Sequence, residues 1–147
     1  MKTRTITKAD FDRIVEVIDH WWGGPISTFA HPIFFYELGD QALVAEEDGE
    51  MIGFLLGFIS PQPEKVGFVH LVGIHPDHRR KGVGRALYAT FTEKCISAGC
   101  HRLKAITTAG NEGSLRFHQA VGWETLEVED YAGHGRKRIV FTKELRS

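Results

Sequence analysis

The segment VHLVGIHPDHRRKGVGRAL, residues 69–87, holds the most chemically informative residues of the chain. A strand-like run enters a basic, glycine-containing turn, and a helical pattern opens at about Gly84. The first amides of a helix have no partner inside it, and the helix dipole adds positive potential behind them. Gly82 and Gly84 let the backbone come close to a phosphate, and Arg79, Arg80, Lys81 and Arg85 surround it with positive charge. The plainer alternative is a basic helix start that is merely solvated. The loop is not a dinucleotide fingerprint, which would want glycine or alanine where Leu87 stands and an acidic residue about twenty positions on. Nor is it a nucleoside-triphosphate loop, because Gly-Lys-Ser/Thr is absent.

The eight histidines raise a second chemistry. His70, His75 and His78 lie near one another, but strand alternation predicts that His70 and His75 face opposite sides. None of the spacings suits a metal, and Cys95 and Cys100 belong to no paired motif. No metal is expected, and the cysteines read as core and helix-end residues.

These residues must be positioned by a recognisable order of elements. Thr7 and Asp10 resemble a capping box, after which Phe11, Ile14, Val15 and Ile18 recur at helical spacing. Trp22-Gly23-Gly24-Pro25 stops that helix, and Ile33 to Leu38 follows Pro32 as a short second one. Gln41–Glu46 and Met51–Ile59 read as strands joined by an Asp48-Gly49 hairpin turn, closed by Pro61 and Pro63. Val66–His75 is the next strand. Gly84–Ala98 is a helix with Leu87, Phe91, Cys95 and Ala98 on one face, stopped by Gly99. A strand over Leu103–Thr107, a helix over Ser114–Val121, and strands over Trp123–Glu129 and Arg138–Thr142 complete the chain. The β-α-β-α middle implies parallel pairing and the hairpins antiparallel pairing. The expected fold class is therefore α/β, a mixed sheet of about six to seven strands with helices on both faces. No linker divides residues 1–147, so one domain is expected.

Composition narrows the partners. Eighteen basic against nineteen acidic residues leave a net charge of −1, which gives no support for nucleic acid or an anionic membrane as the partner. The longest apolar run, Met51 to Ile59, falls well short of the roughly 20 residues that span a bilayer. The first residues, MKTRTITKADFDR, have no apolar signal core, and two cysteines fit a reduced compartment, so a cytoplasmic location is expected.

Two motifs in order resemble a known family. Arg79-x-x-Gly82-x-Gly84, after Val72-Gly73-Ile74-His75-Pro76, resembles the acetyl-CoA-binding motif of the GNAT superfamily of N-acetyltransferases. Asn111-x-x-Ser114-x-x-Phe117-His118-x-x-x-Gly122-Trp123 is similar to that family's later helix motif, and the element order matches along nearly the whole chain. The resemblance implies that Arg80, Lys81, Gly82, Val83, Gly84 and Arg85 cradle the pyrophosphate of acetyl-CoA. It implies too that Val72, Gly73 and Ile74 pair with the pantetheine arm, in a gap between that strand and Leu103–Thr107. Asn111 is implied to contact the arm near the thioester, and a homodimer through the late strands is common in the family.

The reaction so implied is attack of a neutral amine on the acetyl thioester. An alkylamine of pKa about 10.4 is neutral only about once in several thousand molecules at pH 7, so a proton must be removed. Backbone N–H groups near Gly73 and Ile74 are the natural oxyanion donors. The family's usual acid is a tyrosine where this chain has His118, which becomes the expected acid. Glutamates that other branches use as bases are replaced by Ile106 and Phe68. His70 is the expected base or start of a water relay, since arylalkylamine acetyltransferases carry a histidine at a similar place; Glu46 and Glu47 are weaker candidates. Trp21, Trp22, Phe29, Phe34, Phe35, Tyr36 and Tyr131 are the aromatics available to an acceptor pocket, although Phe34 and Phe35 suit the core, and Trp21-Trp22 the surface. The expected acceptor is a small-molecule primary amine. A protein lysine or N-terminus, another acyl donor such as succinyl-CoA, and a non-catalytic acyl-CoA sensor are the alternatives.

Overall fold

The computed structural model describes residues 1–22, 26–61 and 64–145. The expected stop at Gly23-Gly24-Pro25 and the strand end at Pro63 lie outside them.

Strand β1 (Lys2–Thr5) opens the chain and was absent from the expected order, because KTRT carries no apolar residue. It is an edge strand held by antiparallel pairing to β2 (Leu43–Glu47), with Arg4 opposite Val44. Helix α1 (Lys8–Trp22) starts as the capping box predicts: the Thr7 amide donates to Asp10 Oδ2 at 2.8 Å, and the Asp10 amide to Thr7 Oγ1 at 3.3 Å. Asp10 also accepts two hydrogen bonds from the Arg4 guanidinium, which pairs with Glu46 as well. Burial alone would raise the Asp10 pKa, but the hydrogen bonds from Arg4 and Thr7 hold it below the usual carboxylate value. Asp10→Ala removes the cap and leaves the half-buried Arg4 with Glu46 as its remaining carboxylate partner. It is expected to lower stability by about 2 kcal/mol in a denaturant titration.

Asp48 and Gly49 both have positive φ, 53° and 80°, so the hairpin from β2 into β3 (Glu50–Ser60) turns with the twist of its strands. The remaining strands are β4 (Val66–Ile74), β5 (Arg102–Thr108), β6 (Glu124–Val128) and β7 (Arg138–Glu144). They form one seven-stranded sheet in the order β1-β2-β3-β4-β5-β7-β6. Only β4 and β5 are parallel; every other neighbour is antiparallel. Helices α1 and α2 (Ile33–Tyr36) cover one face, and α3 (Val83–Ser97) and α4 (Glu112–Ala120) the other.

Each face has its own core. On the α3 face, Leu55, Val69, Leu87, Phe91, Cys95, Leu103 and Phe141 pack together. On the α1 face, Ile14, Ile18, Trp21, Val44, Phe54, Leu56 and Leu71 do so. Val17 and Trp21 are buried where the simple helical pattern had placed Val15, which is exposed. The paired tryptophans therefore separate: Trp21 stacks on Phe54 at 6.0 Å, while Trp22 is 45% exposed.

Two departures from regular pairing shape the centre of the sheet. The β4–β5 ladder runs only from Val66↔Arg102 to Val69↔Ala105, although both strands continue. Beyond that point the two strands part, and the main chain of β4 loses its partner on that side. The second departure is a bulge: Leu56 pairs with Leu71 but Gly57 with Val69, which leaves His70 as the extra residue.

Candidate active site

The bulge decides which way the candidate base points. Val69, Val72 and Ile74 pack on the α3 face, and Leu71 on the α1 face. His70 stacks on Phe34 of α2, with ring centroids 4.2 Å apart, so it too lies on the α1 face. Simple alternation had placed it with Val72 and Ile74; the inserted residue reverses that phase. His75, packed against Trp21 at 5.3 Å, shares the α1 face with His70 rather than opposing it. Among the described residues no group of His, Cys, Asp or Glu converges as metal ligands.

His70 Nε2 lies 2.8 Å from the Phe29 carbonyl, which can only accept. Nε2 therefore carries the proton, and Nδ1 keeps a free lone pair. Burial lowers the His70 pKa, against a smaller opposing effect of the Phe29 hydrogen bond, so the ring is neutral at pH 7 and able to accept a proton.

At the far end of β4, a short turn over Pro76–His78 leads into the basic loop, with the Asp77 amide donating to His75 Nδ1 at 3.0 Å. Arg80 and Gly82 both take positive φ, 64° and 83°. Gly82 caps α3 in the left-handed region, and no side chain caps the helix. The amides of Val83, Gly84 and Arg85 are thus left for an external acceptor. They open on a cavity of about 330 Å³ that is also lined by Ile74, His78, Arg79, Arg80 and the Phe117 ring. Phe117 closes against the loop: a β-carbon on Gly84 would sit 3.4 Å from its ring.

The other expected cofactor residues are placed differently. Lys81, Val72 and Gly73 are not part of the cavity lining. Arg79 lines it, but its guanidinium also donates to the Trp21 carbonyl at the end of α1. Gly73 is explained by packing, since a β-carbon there would meet the Phe54 ring at 2.5 Å. Asn111 caps α4, accepting from the Ser114 amide at 3.1 Å and donating to Thr107 Oγ1 at 3.0 Å. Both ends of its side chain are occupied in fixing α4 to β5 beside the split.

His118 is not at the cavity. Its ring is 5% exposed, stacked on Phe141 with centroids 4.0 Å apart. Nδ1 lies 2.8 Å from the Ser114 carbonyl and so carries the proton, and Nε2 accepts from the Tyr88 hydroxyl at 2.9 Å. Burial lowers the His118 pKa and raises that of Tyr88, so both are neutral at pH 7. A neutral imidazole with both nitrogens engaged is a poor proton donor. The expected acid therefore lies in the α3–α4–β7 core and outside the cavity lining. Tyr88 and Phe117 were not singled out as site residues. Phe117 had a sequence signal, its position three residues after Ser114 in the second motif; Tyr88 had none beyond its place beside Leu87.

A mixed sheet that splits between its two parallel strands thus lies beside an uncapped helix start and the cavity in front of it. The chain belongs to the GNAT acetyltransferase family, whose model matches residues 11–123. It is 30% identical to an acetyltransferase of Photorhabdus laumondii over 72% of this chain and 66% of that one. It is 28% identical to an acetyltransferase of Pectobacterium atrosepticum over 60% of each, so the match spans about three-fifths of that relative's length. Among solved structures, a putative GNAT acetyltransferase from Desulfovibrio desulfuricans superposes with a TM-score of 0.81 at 20% identity, covering 99% of both chains. The ribosomal-protein-S18-alanine N-acetyltransferase of Escherichia coli gives 0.77 at 15% identity over 99% of this chain and 94% of that one. An aminoglycoside 6'-N-acetyltransferase complexed with coenzyme A gives 0.76 at 13% identity over 100% and 98%. Among the described residues no helix is long and apolar enough to cross a membrane.

Proposed function

We propose that the protein is an N-acetyltransferase that moves an acetyl group from acetyl-CoA to a primary amine of a small molecule. The observation that carries this reading is the uncapped start of α3 at the head of the β4–β5 split. The amides of Val83, Gly84 and Arg85, with Arg80 and Arg85 beside them, hold the pyrophosphate. The unpaired edge of β4 from Leu71 to Ile74 offers N–H and C=O groups to the pantetheine arm, as to an added strand. Its amides also supply the donors for the oxyanion.

In this reading the amine nitrogen bonds to the thioester carbon, and the carbon–sulfur bond then breaks. The amine's surplus proton passes to His70 Nδ1, directly or through one water, while the departing thiolate takes a proton from solvent. A thiol of pKa about 8.5 leaves readily without a dedicated acid. His118 is assigned a positioning role, holding α4 and its Asn111 cap against α3 and β7.

Gly82→Ala forces a left-handed φ on a residue with a β-carbon, at a cost of about 1–2 kcal/mol. Because that strain falls on the anion-binding amides, acetyl-CoA is expected to bind about tenfold more weakly by calorimetry, and an unchanged affinity would remove the loop from the site. The proposal as a whole is tested by thiol release from acetyl-CoA with and without pooled primary amines. Amine-dependent release is expected. Thermal stabilisation by acetyl-CoA without release would point to a protein acceptor or a sensor, and the absence of both would overturn the cofactor assignment.

A further inference from the structure

Strand register places an unexpected cation on the acceptor side of the split. On β5, Leu103 and Ala105 belong to the core of the α3 face. Lys104 and Ile106 therefore point to the α1 face, where Phe68, the β4 partner of Lys104, stacks on Phe58. Across β7 and β6 the same face carries Thr142 beside Lys104, Val140 and Leu126 beside Ile106, and Arg138 beside Thr108. The core cluster of this face draws on β2, β3 and β4 and, among the described residues, on none from β5, β6 or β7. The result is a shelf outside that core, exposed at its β6 edge, where Leu126 is 65% exposed, and buried at Val140 in its centre.

The shelf is apolar in the middle, with Arg138 at one end and Lys104 towards the other, beyond which Arg102 and Glu144 pair with each other at 2.6 Å. Lys104 Nζ lies 5.0 Å from the centre of the Tyr131 ring, and among the described residues it makes no ion pair. Glu124, the acid in the same row, stands two strands away, about 10 Å. Lys104 is one residue short of the last β4–β5 pair, Val69↔Ala105, at the base of the split. Ile106, where the strands part, is about 7 Å further along. The phosphate cavity lies on the α3 face, so an amine meeting the thioester through the split comes from the α1 face, where His70 also lies.

We infer that Lys104, seated on Tyr131, reads a carboxylate on the acceptor, so that the substrate class is amines bearing an acidic group several ångströms from the nitrogen. The aromatic seat that would suit a cationic acceptor is already filled by the protein's own lysine. A second cation on the acceptor would be repelled there, and a carboxylate would be paired. This inference rests on the transferase reading above.

The test compares amino carboxylic acids with the matching primary amides as acceptors, at saturating acetyl-CoA. The expected wild-type preference for the acids is at least tenfold in kcat/KM, expressed mainly in KM. Lys104→Met should bring the acid-to-amide ratio to about one, and Lys104→Arg should keep most of it; stabilisation by acetyl-CoA in both variants reports folding. Equal use of acids and amides by the wild type, or an acid preference that survives Lys104→Met, would overturn the inference while leaving the transferase reading intact. Acetylation of peptide N-termini alone, with neither small-molecule set used, would overturn it too. Turnover of no amine at all would overturn the transferase reading and this inference with it.

Discussion

His118→Ala is expected to cost the protein its stability before its chemistry. The substitution removes a ring stacked on Phe141 and leaves the buried Tyr88 hydroxyl without its acceptor. Together these losses amount to about 3 kcal/mol, or a fall in melting temperature of roughly 6–12 °C for a chain of this length. His118→Gln, which restores an acceptor near Tyr88, should recover part of the loss. The direction of the pH dependence follows from burial. The folded-state pKa of His118 lies below its value of 6.5 in the unfolded chain, so the unfolded chain takes up the proton first. The stability due to the neutral ring is present above about pH 6.5 and is lost as the pH falls below it. Melts at pH 5.5 and 7.5 should therefore differ less for His118→Gln than for the wild type. A catalytic acid would behave otherwise: kcat would fall by about 100-fold in both variants at a temperature where both remain folded.

The second large effect is on rate. His70→Ala removes the proposed base and should lower kcat/KM by about 100-fold, the lower end of what a positioned base contributes. The wild-type kcat/KM should have an acid limb below the ordinary histidine range near 6.5, because burial lowers the His70 pKa. Activity is then held above that limb and lost as His70 takes up a proton. His70 also stacks on Phe34, so a structural loss is expected in the same variant. The pH profile separates the two roles: with the base gone the limb disappears, whereas a packing defect lowers the rate and keeps the limb. A rate within twofold of wild type would remove His70 from the mechanism.

The contrast between these two histidines marks what local sequence could reveal. Features written over a few residues were legible: the Thr7–Asp10 capping box, the Asp48-Gly49 turn, the Leu87–Phe91–Cys95 face of α3, and the glycine-bearing helix start. Each is decided by propensity or spacing within one or two turns of chain. Features decided across the sheet were not. Strand β1 has no apolar pattern and exists because Lys2–Thr5 finds the edge of β2, about forty residues later. The bulge at His70 depends on how β4 meets β3, and a strict period of two therefore assigned His70 to the wrong face. His118 matches a motif position, but its environment is set by Tyr88 on α3 and Phe141 on β7. Lys104 lay within a segment read correctly as a strand. Its importance appears only once β5 is seen to flank the split and Tyr131 to fold over it.

In the proposed function acetyl-CoA docks its pyrophosphate on the start of α3. This docking is tested most directly by following the backbone amide resonances of the full chain as CoA is added. The largest shifts are expected on Gly82, Val83, Gly84 and Arg85, with a second set along Leu71–Ile74, where β4 has no partner on the β5 side. Shifts that leave residues 82–85 unmoved while CoA binds elsewhere would contradict the docking.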